Sequence, residues 1–238
     1  YVFLTICTVS FIITESTAQI SFAARVDFTG TGTNPYHIAI GDLDGDAKPD
    51  LVMANYGFPG ATVFRNTSTT GIINTGSMGV QQDYFLYGNT FQPQIADIDN
   101  DGKKDVIVSA RGSQYSTNVV NVLLNSSSVG TITLASIPYA VNMGTQCYGL
   151  TAADFDGDGK ADIAVANNSN STAIVRRNTS TAGNPSFDSA LVLTAGVNPQ
   201  GATAADLDGD GKPELIIANN LGNNLSVFRN TSSIGSIS

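Results

Sequence analysis

Apolar runs recur along the chain at a regular interval, each set built in the same order. A short apolar stretch (148–153, YGLTAA) runs into a cluster of acids and glycines. A second, almost wholly apolar stretch (163–166, IAVA) leaves the cluster, as a strand does when both of its faces are covered. A third run (172–177, TAIVRR) is closed by Asn178-Thr179-Ser180, and an alternating fourth (187–194, FDSALVLT) completes the set. Helix formers are scarce, with glutamate only at Glu15 and Glu214, while Gly, Ser, Thr, Asn and Val dominate. The pattern predicts an all-β chain of short strands and many turns.

The succession occurs four times, at IAIGDLDGDAKPDLVMAN, QIADIDNDGKKDVIVSA, TAADFDGDGKADIAVANN and TAADLDGDGKPELIIANN. The first acids, Asp42, Asp97, Asp154 and Asp206, are 55, 57 and 52 residues apart. That period suits a four-stranded propeller blade better than a solenoid coil. The tripeptide closing the third run recurs as Asn66-Thr67-Ser68 and Asn230-Thr231-Ser232, with Asn125-Ser126-Ser127 as a variant. Although these read as glycosylation sequons, recurrence at a turn favours side-chain bonds to turn backbone. Residues 20–30 (ISFAARVDFTG) resemble the fourth-strand segment 186–196 (SFDSALVLTAG) and are expected to complete the last blade. Both a ring of four blades closed in this way and a larger ring, of which this is an N-terminal part, fit the sequence.

The first thirteen residues (YVFLTICTVSFII) are apolar and uncharged, and small residues follow at 16–18. Residues 1–19 are expected to be the end of a secretory leader, with the propeller repeats over 20–238, no membrane span in the mature chain, and a secreted or cell-surface location. Cys7 lies in the leader, which leaves Cys147 without a partner; it is read as a small buried apolar residue.

Charge sharpens the picture. The formal net charge is -9, which argues against nucleic acid or an anionic membrane as partner. Every acid except Glu15, Asp27, Asp83 and Asp188 falls in the loops 42–50, 97–105, 154–162 and 206–214. All four fit D-x-D-x-D-[GA]-x-x-[DE]. When such a loop curls, the carboxylates at positions one, three and five converge, the carbonyl at position seven joins them, and the acid at position nine closes the shell. Hard oxygen donors in this number suit calcium, whereas zinc would want the His or Cys that the loops lack. The candidate ligands are Asp42, Asp44, Asp46, Lys48 (by its carbonyl) and Asp50 in the first loop, and Asp97, Asp99, Asp101, Lys103 and Asp105 in the second. In the third they are Asp154, Asp156, Asp158, Lys160 and Asp162, and in the fourth Asp206, Asp208, Asp210, Lys212 and Glu214. One Ca2+ per loop is expected. Glycine at position six (Gly102, Gly159, Gly211) permits the turn; Ala47 stands there in the first loop, which is expected to be the weakest site. Glu214 has a longer arm than the aspartates and is expected to sit differently.

These units resemble FG-GAP/VCBS repeats, the blades of the integrin α-chain head and of many exported bacterial proteins. The similarity spans residues 20–238 and implies a β-propeller with calcium bound between the first two strands of each blade. The namesake Phe-Gly and Gly-Ala-Pro elements survive only as echoes in Tyr148-Gly149 and Gly201-Ala202-Thr203, which leans to the bacterial VCBS-like branch. The resemblance implies an extracellular adhesion module that binds a protein or glycan, a lectin-like propeller, or the accessory domain of an exported enzyme. No catalytic residue is expected: the sole histidine, His37, is read as structural, and no nucleophile elbow, phosphate loop or dinucleotide fingerprint is present. Arg176-Arg177 is read as an outer strand facing water. Phe91, Tyr115, Tyr139 and Tyr148 are either a sugar-stacking surface or core and wall.

Overall fold

The computed structural model describes residues 20–57, 60–112, 118–144 and 146–238. The expected leader (1–19), Cys7 within it and Tyr115 lie outside the described residues. The fold is all-β, in four antiparallel sheets. Blade 1 comprises β1 (Pro35–Gly41), β2 (Asp50–Asn55), β3 (Gly60–Phe64) and β4 (Gln82–Phe85). Blade 2 comprises β5 (Asn89–Ala96), β6 (Asp105–Arg111), β7 (Val119–Leu123) and β8 (Tyr139–Asn142). Blade 3 comprises β9 (Cys147–Ala153), β10 (Asp162–Asn167), β11 (Thr172–Arg176) and β12 (Leu191–Thr194). Blade 4 has three strands, β13 (Pro199–Ala205), β14 (Glu214–Asn219) and β15 (Asn224–Phe228). Each is an up-and-down meander, so every connection is local.

The second strands explain the near-continuous apolar runs. All six residues of β10 are buried, as are six of the seven in β6, because neighbouring sheets cover both faces. The core therefore lies between blades. Leu43, Val52 and Val63 of blade 1 meet Val106, Val108 and Leu123 of blade 2. Ile98, Ile107 and Val122 meet Leu150, Ile163 and Val165 at the next interface, and Phe155, Ala173 and Val175 meet Leu215 and Ile217 at the third. Each blade thus has a forward face, turned to the next blade, and a backward face.

Residues 20–34 form no strand up to the start of β1 and do not complete blade 4. They are tied instead to the blade they lead into. Thr31 Oγ1 donates to the Asp83 carboxylate, and the amides of Tyr56 and Gly57 donate to the carbonyls of Asn34 and Thr33 at 2.9 and 3.1 Å. Gly30 packs against Met53 of β2 and Thr62 and Phe64 of β3, over the central strands on the backward face of blade 1. The segment is anchored to its sequence neighbour, and its resemblance to 186–196 gives it no ladder of its own.

Candidate metal centres

The acidic loops follow the first strand of each blade and precede the second, so all lie at one end of the array. Three carboxylates in each converge to within 4.8 Å: Asp42, Asp44 and Asp50; Asp97, Asp99 and Asp101; Asp154, Asp156 and Asp162; Asp206, Asp208 and Asp210. Positions one and three belong to every trio. Position nine completes it in the first and third loops, position five in the second and fourth.

The loop backbone fixes these carboxylates. Position one accepts at least two amides, as Asp42 does from Gly45 and Ala47 at 2.7 and 2.8 Å. Position five donates its amide to position three, and position seven to position five, at 3.1 and 2.9 Å in the first loop. The position-nine acid is buried in every loop and joins its two ends. Asp105 accepts the amides of Ile98 and Asn125, each at 2.8 Å. Asp162 accepts those of Phe155 and Asn178 at 2.9 and 2.7 Å. Glu214 reaches the same partners, with a 2.8 Å bond from Leu207 and a longer 3.4 Å bond from Asn230, so its extra methylene loosens one contact. At position six, Gly102, Gly159 and Gly211 have φ of 91°, 88° and 86°, and Ala47 is held at 65°. That alanine carries the left-handed strain expected of it.

The asparagines of the closing tripeptides are buried, and those of blades 2, 3 and 4 use both amide hydrogens. Asn178 donates to the carbonyls of Ala161 and Ile98 and accepts the Ser180 amide, a role incompatible with a glycan on the same nitrogen. Asn125 and Asn230 do likewise.

Arg177 does not simply face water. Its guanidinium spans Asp156 and Asp158, and Arg65 and Arg229 span the same positions in the first and fourth loops. The signal was visible as an Arg directly before the closing Asn at 65, 177 and 229, where the second repeat has Leu124. Among the described residues no ion pair reaches the second loop; Lys103 turns away to the Ser127 carbonyl at 2.9 Å. Burial raises the Asp44 and Asp156 carboxyls, but bonds from arginine and loop amides outweigh it and leave both below the usual range. The Arg229 bond lowers Asp208 likewise. Burial raises Asp50, pushes Asp105 up to about 6 and Asp162 to about 7.

The donor set fits a hard divalent cation. It is all oxygen, it holds no His or Cys, and its atoms lie close enough together for one ion with ligands at about 2.4 Å to touch them all. The position-nine oxygens each keep a lone pair beyond their amide bond.

At the opposite end of the strands lies a second cluster. Phe91, which is buried, and Tyr148, both noted in the sequence, pack tilted with centroids 4.5 Å apart, and Tyr36 and Tyr56 join Phe91 at 5.4 and 5.3 Å. Arg111 donates to the hydroxyls of Tyr148 and Tyr56 at 3.0 and 3.3 Å. Tyr139 is exposed elsewhere, on β8. His37 packs edge-on against Tyr36, and burial lowers its pKa. Cys147 is buried, and its thiol is pushed up to about 12 by that burial.

The repeated order of strand, acidic loop, buried strand and closing asparagine has a counterpart among known families. The chain matches the family described as FG-GAP-like repeat over residues 43–108, 97–165 and 154–217. It belongs to that family. Each match runs from an acidic loop to the second strand of the following blade, so the FG-GAP-like unit includes a blade interface. No curated protein matches the chain. Among the described residues no helix is long and apolar enough to cross a membrane.

Proposed function

We propose that this chain is an exported, non-enzymatic FG-GAP-like array, held rigid by calcium, that serves as an extracellular adhesion module for a protein or glycan. The observation that carries the reading is the convergence of three carboxylates in each of the four loops, at one end of the fold. Asp42, Asp44, Asp46 and Asp50, the carbonyl of Lys48, and their equivalents in the other loops would hold the ion, one per loop. Bound there, calcium supplies positive charge that balances the clustered carboxylates. The residues do the rest: position-nine acids fasten the loop ends, and backbone amides hold the remaining carboxylates in place. Rigid loops keep the blades in register and leave the opposite end free for a partner. The reading assigns no reaction to the chain; it takes His37 as a packing partner of Tyr36 and the clustered acids as ion ligands.

The test is calorimetric titration of calcium into chelator-treated chain from residue 20 onward, which holds every described element, with melting followed in parallel. Saturable binding approaching one ion per loop, with a rise in Tm, is expected; no heat and an unchanged Tm would overturn the reading.

A lectin-like reading rests on the cluster of Tyr36, Tyr56, Phe91, Tyr148 and Arg111 beside a cleft of about 640 Å³ that Tyr36, Gln92 and Gln94 help to line. Aromatic faces and amide groups together suit a sugar's apolar and hydroxyl surfaces. Saturable signals on a glycan array, abolished in Tyr36→Ala, would favour it over a protein partner.

A further inference from the structure

At the end of the strands away from the acidic loops, one register position is aromatic in three successive blades. Tyr36 of β1, Phe91 of β5 and Tyr148 of β9 stand at the same distance ahead of Asp42, Asp97 and Asp154, and Gln200 holds that place in blade 4. A second position repeats beside it: Tyr56 and Arg111 stand at the same distance after the position-nine acids Asp50 and Asp105. Phe91 is buried and backs the group, whereas Tyr36 is 56 % exposed and Arg111 is half-buried. The cluster is built by blades 1 to 3 at their two mutual interfaces, and blade 4 takes no part in it.

Arg111 is the charged member of this group. The other basic residues are engaged elsewhere: the lysines belong to the acidic loops, and Arg65, Arg177 and Arg229 span those loops. Arg176 donates to the Asp188 carbonyl, and Arg25 pairs with Asp27. Among the described residues no carboxylate pairs with Arg111. Its guanidinium spends one N–H on the Tyr148 hydroxyl and one on the Tyr56 hydroxyl. A guanidinium has further N–H groups, and each hydroxyl that accepts from it keeps its own proton to give. Among the described residues none of these donors has an acceptor. The complement of such a donor-rich patch is a group made only of acceptors, an ionised carboxylate.

We propose that this cluster binds an acidic glycan, with a sugar ring laid against Tyr36 and its carboxylate held by Arg111 and the hydroxyls of Tyr56 and Tyr148. The proposal rests on the lectin-like reading of the adjoining cleft and names the class of sugar it takes. Gln92 and Gln94 line that cleft. Gln92 accepts the Leu150 amide at 3.3 Å and Gln94 donates to the Leu150 carbonyl at 3.4 Å, so the NH2 of Gln92 and the oxygen of Gln94 are left for ring hydroxyls. The forked N–H groups of arginine read a carboxylate by shape as well as by charge. A neutral sugar would cover the same donors without satisfying them, so the charge on the ring decides affinity. A run of acidic peptide side chains would need several cations, and among the described residues Arg111 is the one lysine or arginine in the cluster.

The test measures binding to the calcium-loaded chain of oligosaccharides of galacturonate, glucuronate and mannuronate, each beside its carboxyl-reduced, neutral form. Saturable binding of at least one acidic series is expected. Its reduced form is expected to bind more weakly by roughly ten- to a hundred-fold, as the loss of a hydrogen bond to a charged group implies. Arg111→Gln is expected to bring the acidic form down to the level of the neutral one, and Arg111→Lys, which keeps the charge and loses the fork, to fall between. Tyr36→Ala is expected to weaken both forms. Melting of each variant is followed in parallel, and the comparison of acidic with reduced sugar on the unmodified chain needs no variant at all. Equal affinity for the two forms, or a preference that survives Arg111→Gln, would overturn the proposal and leave the lectin-like reading standing. Displacement of the sugar by polyglutamate at matched carboxylate concentration would overturn it in favour of an acidic peptide. Binding of neither form would overturn both readings.

Discussion

Arg65, Arg177 and Arg229 occupy one site in the first, third and fourth repeats and Leu124 fills it in the second, which makes the loops electrostatically unequal. A guanidinium already supplies part of the positive charge that a cation would bring, and it engages the outer oxygens of positions three and five. The second loop has no such partner, so it is expected to bind calcium most tightly and to need it most. Leu124→Arg is expected to weaken one site in a calcium titration and leave the others in place. Conversely, Arg177→Leu exposes a buried Asp156 without its partner, at a cost of about 1–3 kcal/mol. That loss is expected in chelator and largely recovered in calcium, as read by paired melts. Backbone strain makes a separate case at position six of the first loop. Ala47→Gly relieves a left-handed alanine but adds chain entropy to the unfolded state, so a net gain of roughly 0.5–1 kcal/mol is expected in denaturant unfolding. A loss would mean that Ala47 makes a contact worth more than its strain.

Each loop is closed by a buried position-nine acid, and that element carries a pH dependence of its own. Burial places the folded-state pKa of Asp105 at about 6 and of Asp162 at about 7, both above the ordinary 3.8. Between the ordinary and the folded values the native state holds a proton that the unfolded chain has released, so stability falls as pH rises through that window. Carboxylates held low by arginine, Asp44 and Asp156, act oppositely: their contribution is present above the ordinary value and is lost as pH falls below it. Chelated protein is therefore expected to melt at progressively lower temperature from about pH 4 to 7. Calcium, which favours the ionised form, is expected to flatten that slope; a flat profile in chelator would refute the assignment. The loops, the strand order and the pairing of each blade were legible in the sequence because period-two and continuous apolar runs, and acids at fixed spacing, record local geometry. Arg177 was misread because its role depends on a loop twenty residues away that folds back over it. The segment 20–30 was misplaced because likeness to a strand says nothing about which edge is within reach. The aromatic cluster joins residues from β1, β5 and β9 and the β2–β3 turn, and Arg111 reaches it from the end of β6; no single stretch of sequence displays that convergence.

On the scale of the whole molecule, the acids are concentrated rather than dispersed. All four loops lie at one end, with positive charge from only three arginine clamps and the nearby lysines, inside a chain of formal net charge -9. Four divalent cations, eight positive charges in all, would bring that figure to -1. Without them, repulsion within and between loops acts on the compact state more than on the unfolded chain, where the same charges spread apart. The range of that repulsion is set by salt, with a screening length of about 30 Å at 0.01 M and about 10 Å at 0.1 M. Chelated protein is accordingly expected to gain Tm as sodium chloride is raised through this range, while calcium-loaded protein changes little. The two series, run by differential scanning calorimetry in the same buffer, separate neutralisation from general screening. Parallel curves would show that the arginines and lysines already balance the loops and that the clustered carboxylates need no cation to be tolerated.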